Sequence, residues 1–285
     1  MFDSNKTYQF KDLVEWQESP CLAVIGQPIE HSLSPRIHNF IYSQLRSPFD
    51  RWRYYKFDIE PDQLGAALVL FREKGFVGLN VTAPHKINIL KYLTDIDTVA
   101  QSIGAVNTIF FKKDKVLGFN TDAFGVLETL RRKWRKPIPE TDAIILGAGG
   151  AARTAISCLL QESIRSLWVG NRSCSGIERL TNHLGDLSRL PIKFFLLEEI
   201  PYKTLPPNAL VLNASLAGSE GNQYNPLDLT RITPSFVFDL VYSPRKTALI
   251  GQAEALRIPY CNGLPMLIAQ ALKAIEIWTS FFQNI

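Results

Sequence analysis

The sequence predicts an α/β protein of two domains, each built on a mostly parallel sheet. The chain has 285 residues, more than a typical single domain. Short apolar runs alternate with helical segments in both halves, which is typical of βαβ units. A segment with two prolines, 136–141, separates the two series. Parallel sheets bind ligands at the carboxyl ends of their strands, so polar residues that follow a strand are the candidates for function.

Each half supplies its own strands and helices. Strands are predicted at 21–25, 76–81, 108–111, 116–119, 143–146 and 166–170, with 108–119 as a hairpin. Helices are predicted at 35–44, 62–74, 122–134, 153–160 and 265–282. Ser34 suits the N-cap before Pro35, and Gly75 suits the left-handed position after a helix. The last helix can pack on either domain, and the polar segment before Cys21 has no clear pattern.

Composition excludes several classes of protein. Hydrophobic residues make up 46% and charged residues 20%, as in a globular protein. The net charge of +4 is spread along the chain, and the basic run 131–136 is interpreted as a solvated helix end rather than a nucleic-acid site. The four cysteines lack disulfide or zinc spacing, and no apolar run is long enough for a membrane span or signal peptide. We therefore expect a cytoplasmic protein with an anionic small-molecule partner.

A glycine-rich loop follows the strand at 143–146. Residues 147–152, Gly-Ala-Gly-Gly-Ala-Ala, fit the pattern G-x-G-x-x-A between a strand and a helix. Gly147 permits the tight turn, and Gly149 lets the backbone approach a pyrophosphate at the helix N-terminus. The alternative is a turn that serves packing alone. The pattern predicts a Rossmann-type, doubly wound dinucleotide-binding domain in the second half.

The next strand ends about 20 residues after this loop, where NAD-specific folds carry an acidic residue. This sequence has Asn171 and Arg172 instead. A guanidinium binds a 2′-phosphate that a carboxylate would repel, so NADP is the favoured cofactor. The alternative is that Arg172 is simply a solvent-exposed side chain.

Polar residues follow the strands of the first half. Ser32 and Ser34 lie in a strand-to-helix loop, where hydroxyls and a helix N-terminus can bind a carboxylate, although Ser34 is equally suited to cap the helix. Lys86 comes shortly after the strand at 76–81, and Asp122 begins a helix. A lysine and an aspartate together suit alcohol–ketone interconversion, in which a proton is transferred along with a hydride.

These segments resemble the shikimate dehydrogenase family over nearly the whole chain after Cys21. The resemblance is carried by 32–34, 80–86, 104–108, 119–122 and the glycine loop. It implies a catalytic pair, Lys86 and Asp122. It implies substrate-binding residues Ser32, Ser34, Thr82, Asn107, Tyr242 and Gln270. It implies cofactor-binding residues Gly147, Gly149, Gly150, Ala151, Asn171, Arg172, Gly263 and Met266.

The resemblance also implies a domain arrangement and a reaction. Residues 1–122 with 263–285 are expected to form the substrate domain, the last helix returning to it, and 123–262 the NADP domain. The implied reaction is the reversible, NADPH-dependent reduction of 3-dehydroshikimate to shikimate in chorismate and aromatic amino acid biosynthesis. The expected state is a monomer or homodimer with no bound metal, nucleic acid or membrane.

Some positions depart from the family pattern. Residues 213–219 lack a hydroxyl and a methionine that are common there, Gly176 replaces a frequent basic residue, and Pro265 replaces a glycine. Met266 suits a helical core as well as nicotinamide contact. The rival interpretations are a quinate or dual quinate/shikimate dehydrogenase, and a nucleotide-binding paralogue without activity. His31, His38 and His85 suggest a metal site at first sight, but the family uses none.

Overall fold

The computed structural model describes residues 3–134, 136–185 and 190–283. Its contacts divide the chain into two compact units. Unit 1 is Met1–Phe124 with Ile268–Ile285, and unit 2 is Gly125–Leu267. The predicted domain limits lie a few residues away from these.

The described residues form the following elements. The helices are α1 (Phe10–Val14), α2 (Ser34–Tyr42), α3 (Leu64–Glu73), α4 (His85–Asn88), α5 (Thr98–Ile103), α6 (Asp122–Lys133), α7 (Gly150–Gln161), α8 (Cys174–Leu184), α9 (Ala248–Ala255) and α10 (Leu264–Phe282). The strands are β1 (Thr7–Gln9), β2 (Cys21–Gly26), β3 (Arg53–Asp58), β4 (Phe76–Val81), β5 (Asp95–Ile96), β6 (Thr108–Lys112), β7 (Lys115–Phe119), β8 (Asp142–Leu146), β9 (Ser166–Asn171), β10 (Ile192–Leu196), β11 (Leu210–Asn213), β12 (Phe236–Asp239) and β13 (Tyr260–Cys261).

The sheet of unit 1 has the strand order β1-β3-β2-β4-β6-β7-β5. Its pairs are parallel except that β6 runs antiparallel to both β4 and β7. The start of β6 therefore lies at the same edge of the sheet as the ends of β2, β4 and β7. This edge collects the polar segments that sequence places after strands in the first half.

The predicted hairpin at 108–119 is confirmed, and so is the left-handed residue after α3, since Gly75 has a φ of 74°. The predicted N-cap at Ser34 is wrong. The helix begins at Ser34 itself, with Leu33 as N-cap and no side-chain cap bond. Leu33 already has a helical backbone and its carbonyl accepts the amide of Ile37, so the first turn starts one residue early.

Three elements of unit 1, β1, α1 and β3, lie in two segments of the chain where the sequence patterns do not predict them. The polar segment before Cys21 contains β1 and α1, which bury Tyr8, Leu13 and Trp16 in the core. Strand β3 is fully paired between β1 and β2 although it carries Lys56 and Asp58, both 9% exposed. Lys56 donates from Nζ to the Glu30 carbonyl at 2.5 Å, which satisfies its buried ammonium group.

Unit 2 is a doubly wound fold. Its sheet has the order β10-β9-β8-β11-β12-β13, and all these pairs are parallel. Apolar clusters cover both faces, one containing α7 and α8 residues and the other α9 residues. Burial on both faces is the usual condition for a parallel sheet. The predicted fold class is confirmed.

The last helix returns to unit 1, as predicted. From Ile268 onward α10 belongs to that unit, and Trp278 is fully buried there. The indole Nε1 donates to the Ile109 carbonyl at 2.8 Å. Gly78 leaves the space for the ring, because a Cβ at that position would lie 2.3 Å from Nε1.

The basic run lies at the end of α6. Arg131 forms an ion pair with Glu162 at 3.0 Å, and Arg132 forms one with Glu128 one turn earlier. Both arginine side chains are exposed, as the interpretation of a solvated helix end requires. Arg135 lies outside the described residues.

Candidate active site

The loops after β2 and β4 are tied together at the carboxyl edge of the unit 1 sheet. The Gln27 amide donates to the Ala83 carbonyl at 3.0 Å, and the Thr82 amide donates to the Ile25 carbonyl at 2.9 Å. A Cβ on Gly26 would lie 2.4 Å from the Thr82 methyl group. Glycine is therefore required where the two loops cross.

Lys86 and Asp122 meet at this edge. Lys86 Nζ donates to Asp122 Oδ2 at 2.5 Å, and the two side chains are 15% and 7% exposed. The Lys86 carbonyl accepts the Val106 amide at 2.9 Å, which fixes the α4 turn beside the start of β6. Asn120 accepts the Ala123 amide and so fixes the first turn of α6, where Asp122 lies. The predicted acid–base pair is thus in direct contact.

A buried group of polar side chains lies at the same edge. Asn107 Nδ2 donates to Thr121 Oγ1 at 2.9 Å and approaches Gln270 Oε1 at 3.4 Å. Thr121 Oγ1 is 3.3 Å from the same Gln270 oxygen. The structure therefore brings together Asn107, next to β6, and Gln270, on α10. Such amides and hydroxyls can bind the hydroxyl groups of a substrate.

The loop with Ser32 and Ser34 lies after the end of β2. The Ser34 amide donates to Ser32 Oγ at 3.3 Å. Ser32 is half-buried, whereas Ser34 is buried in the first turn of α2. Two hydroxyls and the N-terminal amides of a nine-residue helix are suitable partners for a carboxylate.

His38 and His85 are buried and pack within unit 1, whereas His31 is exposed. His38 is fully buried, stacks on Tyr54 with ring centroids 4.0 Å apart, and burial lowers its pKa to about 3. His85 approaches the Ile59 carbonyl with Nε2 at 2.7 Å, and burial also lowers its pKa. Across the described ranges, no three His, Cys, Asp or Glu side chains are grouped as a metal site requires.

The glycine loop of unit 2 makes a tight turn and leaves its backbone open beside the start of α7. Gly147 has a φ of 118°, and a Cβ there would lie 3.0 Å from the Ala214 carbonyl oxygen. A Cβ on Gly149 would meet nothing within 4 Å, so the backbone is open to a ligand. Gly149 is the N-cap of α7, and Gly150 and Ala151 form its first turn, which presents amide groups to an anion.

The end of β9 presents Arg172 to solvent. Asn171 Nδ2 donates to the Ser173 carbonyl at 3.1 Å, and Ser173 Oγ caps α8 by accepting the Gly176 amide. A Cβ on Gly176 would lie 2.2 Å from Asn171 Nδ2. Gly176, which stands where the family often has a basic residue, thus leaves space for the Asn171 side chain.

Segment 213–219, which differs from the family pattern, is held by several hydrogen bonds. Asn213 donates to the carboxylate of Asp239 at 2.9 Å and to the Ala217 carbonyl at 3.0 Å, while Ser215 Oγ donates to Asn213 Oδ1 at 2.7 Å. Ser215 therefore keeps a hydroxyl at the centre of the segment. Leu216, at the position of the missing hydroxyl, is 63% exposed.

The remaining predicted residues lie in unit 2. Met266 is 8% exposed and packs in the core of that unit, in agreement with the core alternative. Gly263 donates its amide to the Val241 carbonyl, and a Cβ there would lie 2.0 Å from the Leu240 carbonyl oxygen. Tyr242, Met266 and Gly263 have no structural test of their predicted contacts, which stay predictions.

The predicted site residues leave out Thr121, Asn80 and Tyr54, although Asn80 and Thr121 lie in the segments that carry the family resemblance. Thr121 directly precedes the predicted Asp122, and Asn80 directly precedes the strand end at Val81, so their positions gave a signal. Tyr54 gave none, because it lies inside β3 and contacts Asn80 from a neighbouring part of the sheet.

The fold and site define a class. One unit has a Rossmann-type sheet with an open glycine loop, and the other has a lysine–aspartate pair beside buried amide side chains, as in two-domain dinucleotide-dependent oxidoreductases. Similar proteins narrow this class. A family model described as the shikimate dehydrogenase substrate binding domain matches residues 24–109. The shikimate dehydrogenase (NADP(+)) of Geobacillus kaustophilus is 34% identical over 263 residues, covering 92% of this chain and 93% of that relative.

Two solved structures extend the similarity to the fold. The shikimate 5-dehydrogenase of Thermus thermophilus, in complex with NADP(H) and shikimate, has a TM-score of 0.77 at 32% identity, covering 92% of this chain and 94% of that one. The enzyme of Listeria monocytogenes, in complex with shikimate and NAD, has a TM-score of 0.78 at 29% identity and covers 92% of both chains. The chain belongs to the shikimate dehydrogenase family.

Proposed function

We propose that this protein catalyses the reversible, NADPH-dependent reduction of 3-dehydroshikimate to shikimate. The observation that carries the proposal is the 2.5 Å contact between Lys86 Nζ and Asp122 Oδ2 beside the Asn107 and Gln270 amides. The NADP-dependent relatives, and the Thermus structure with both NADP(H) and shikimate, support the substrate and the cofactor.

The substrate would be held at both ends by unit 1. Ser32 and Ser34, with the start of α2, bind the carboxylate, since hydroxyls and helix amides favour an anion. Thr82, Asn107 and Gln270 bind the ring hydroxyls. Tyr242 belongs to unit 2, and its substrate contact stays a prediction of the family resemblance. Binding both ends fixes which face of the ring carbon receives the hydride.

Lys86 transfers the proton, and Asp122 supports it. In the reduction, Lys86 Nζ donates a proton to the carbonyl oxygen as that oxygen becomes a hydroxyl, and in the reverse direction the neutral amine accepts it. Asp122 orients the ammonium group and balances its charge. Because both side chains are largely buried, the proton passes between positioned groups rather than through bulk water.

NADPH, when bound, supplies the hydride. Gly147, Gly149, Gly150 and Ala151 would hold its pyrophosphate against the start of α7, where the open space above Gly149 fits a phosphate. Asn171 and Arg172 would bind the 2′-phosphate end, and Gly263 and Met266 the nicotinamide end. Arg172 is exposed at the strand end where this phosphate is expected.

We further propose a cytoplasmic enzyme, a monomer or homodimer, that acts in chorismate and aromatic amino acid biosynthesis. Its four cysteines lack the spacing of a disulfide framework, which suits a reducing compartment. In the described part of the chain, no helix has the length and apolar character needed to cross a membrane.

Replacement of the lysine tests the proton transfer. In Lys86→Ala we expect kcat to fall by about 10²- to 10⁴-fold, the usual loss for a general acid–base group, with little change in KM for shikimate. Lys91→Ala is the matched control, because Lys91 is exposed and lies over the ring of Tyr92. The readout is NADPH absorbance during turnover. Near-normal turnover by Lys86→Ala would remove the lysine from the mechanism.

The substrate and cofactor are tested with a panel of reactions. We expect the unmodified protein to oxidise shikimate with NADP at a higher kcat/KM than quinate with either cofactor or shikimate with NAD. Preference for quinate would favour the quinate dehydrogenase interpretation. Absence of turnover in every combination would favour the inactive paralogue.

A further inference from the structure

Helix α7 carries a buried arginine beside the glycine loop. Arg153 is 8% exposed, and its amide donates to the Gly149 carbonyl at 2.9 Å, so it lies one turn beyond the start of the helix. Its Nε atom is buried and has no hydrogen-bond partner in the described part of the chain. Its Nη2 atom makes a long contact, 3.4 Å, with the Arg179 carbonyl on α8. The side chain therefore extends from α7 toward α8.

Three arginines around these two helices have no carboxylate partner. Arg153, Arg172 and Arg179 form no ion pair with any residue that the structure describes, and the exposed Glu178 pairs with none of them. Burial lowers the pKa of Arg153, and the positive charge of Arg179 lowers it further. A buried cation is costly unless an anion compensates it, and guanidinium groups bind phosphate well. The group is therefore suited to an anionic ligand.

The order of the elements brings the three arginines to one edge of unit 2. Helices α7 and α8 flank β9 in the chain and pack on the same face of the sheet, since both contribute to one apolar cluster. Arg172 follows β9 at the carboxyl edge, where both helices begin. Side chains on a helix lean toward its N-terminus. The residues three and four positions before Arg179 are the small Gly176 and Ser175, so the long side chain of Arg179 can reach this edge.

We propose that Arg153 and Arg179 are specificity-determining residues that, together with Arg172, bind the 2′-phosphate of NADPH. This inference rests on the proposed function, since it adds two residues to the site of that cofactor. A phosphate monoester carries nearly two negative charges at neutral pH, so it can accept hydrogen bonds from the exposed guanidinium groups and compensate the buried one. NADH has a hydroxyl group at this position and lacks that charge. The three arginines therefore favour NADPH over NADH.

Removal of each charge tests the proposal by cofactor binding. In Arg153→Gln we expect the Kd of NADPH to rise about 10- to 100-fold, as for the loss of a charge-assisted hydrogen bond, and the Kd of NADH to change less than about twofold. Glutamine removes the charge but keeps an N–H donor for the Arg179 carbonyl. Arg179→Gln, at an exposed position, should raise the Kd of NADPH about two- to fivefold and leave that of NADH unchanged. Titration of cofactor fluorescence measures both constants.

Arg231→Gln is the matched control for the loss of a positive charge. Arg231 is an exposed arginine of unit 2 that stacks on the ring of Tyr202, and its replacement should leave the ratio of the two Kd values unchanged. Calorimetry with adenosine 2′,5′-bisphosphate and with AMP is a second readout that needs no turnover. The preference for the bisphosphate should shrink about tenfold or more in Arg153→Gln.

A purely structural role for Arg153, joining α7 to α8, would weaken NADPH and NADH by the same factor. That result, or an unchanged Kd ratio in both arginine variants, overturns the inference. If Arg153→Gln does not fold, the Kd ratio of Arg179→Gln decides. Shikimate turnover by the unmodified protein is measured separately. Its absence overturns the proposed function, whereas a preference for NADPH that survives both replacements overturns this inference alone.

Discussion

At the scale of single residues, the Asp239 carboxyl shows how burial sets a charge. It is fully buried at the end of β12, where Oδ1 accepts from Asn213 and from the Val241 amide, and Oδ2 accepts from the Thr247 hydroxyl at 2.6 Å. Burial raises its pKa to about 6, and these three hydrogen bonds offset part of the effect. The group holds the 213–219 segment, so its protonation affects the stability of unit 2.

This raised pKa predicts a pH-dependent stability. Between about pH 4 and pH 6 the folded state holds a proton that the unfolded state has lost, so raising the pH favours unfolding until both states are ionised. We expect the free energy of unfolding to fall by roughly 2–3 kcal/mol over this window relative to Asp239→Asn. Urea unfolding of both proteins at a series of pH values measures the difference.

Asp142→Asn is the control of opposite sign. Asp142 pairs with Arg165, which lowers its pKa, so its stabilising contribution is present at neutral pH and is lost as the pH falls. If the stability of the unmodified protein relative to Asp239→Asn stays constant, or increases as the pH rises, the raised pKa of Asp239 is contradicted.

At the scale of elements, the turn from β8 to α7 contains two glycines, Gly147 and Gly149, that differ in whether the backbone requires them. Gly147 is required by the backbone, since its φ is positive and the Ala214 carbonyl leaves no space for a side chain. Gly149 has an ordinary φ of −83° and open space around it. The fold therefore does not require glycine at 149, which agrees with the proposed contact to the cofactor.

Alanine at each position tests this division. In Gly149→Ala we expect a loss of less than about 1 kcal/mol in stability, from the poorer N-cap, but at least a tenfold weaker binding of NADPH. In Gly147→Ala we expect a loss of about 1–3 kcal/mol in stability from strain. Thermal unfolding and an NADPH fluorescence titration measure the two effects. Unchanged NADPH affinity in Gly149→Ala would show that the phosphate binds elsewhere.

At the scale of the whole molecule, the chain closes unit 1 with its own last helix. Trp278 reaches the Ile109 carbonyl from 169 positions away and packs in a cluster with Leu22, Tyr54 and Phe110. Unit 2 has separate cores, one of which includes Trp134. Each unit thus has its own set of buried contacts.

Two tryptophan replacements should therefore act on different units. Trp278→Ala should destabilise unit 1 by about 3–5 kcal/mol, the usual cost of removing a buried tryptophan, and speed hydrogen exchange in β4 and β6. Trp134→Ala should instead speed exchange in β8 and β11. Hydrogen exchange followed by mass spectrometry distinguishes the two patterns. Equal loss of protection in both units from either replacement would contradict separate cores.

The sequence by itself determined the features that are encoded locally. Apolar runs and turn residues predicted the strands and helices around the site, and the glycine spacing predicted the dinucleotide loop before α7. Strand ends also located Lys86 and Asp122. The periodicity failed at β3, because Lys56 and Asp58 are buried there by contacts with distant residues. Charged residues suggest an exposed segment, whereas β3 is buried because neighbouring strands pair with it on both sides.

The tertiary structure alone decided which of these residues meet. Lys86 and Asp122 are 36 positions apart, and Asn107 and Gln270 are 163 apart. The antiparallel β6 brings the first pair to one edge, and the return of α10 brings Gln270 there. Local patterns report whether a residue lies in a strand or a turn, whereas long-range packing fixes its partners.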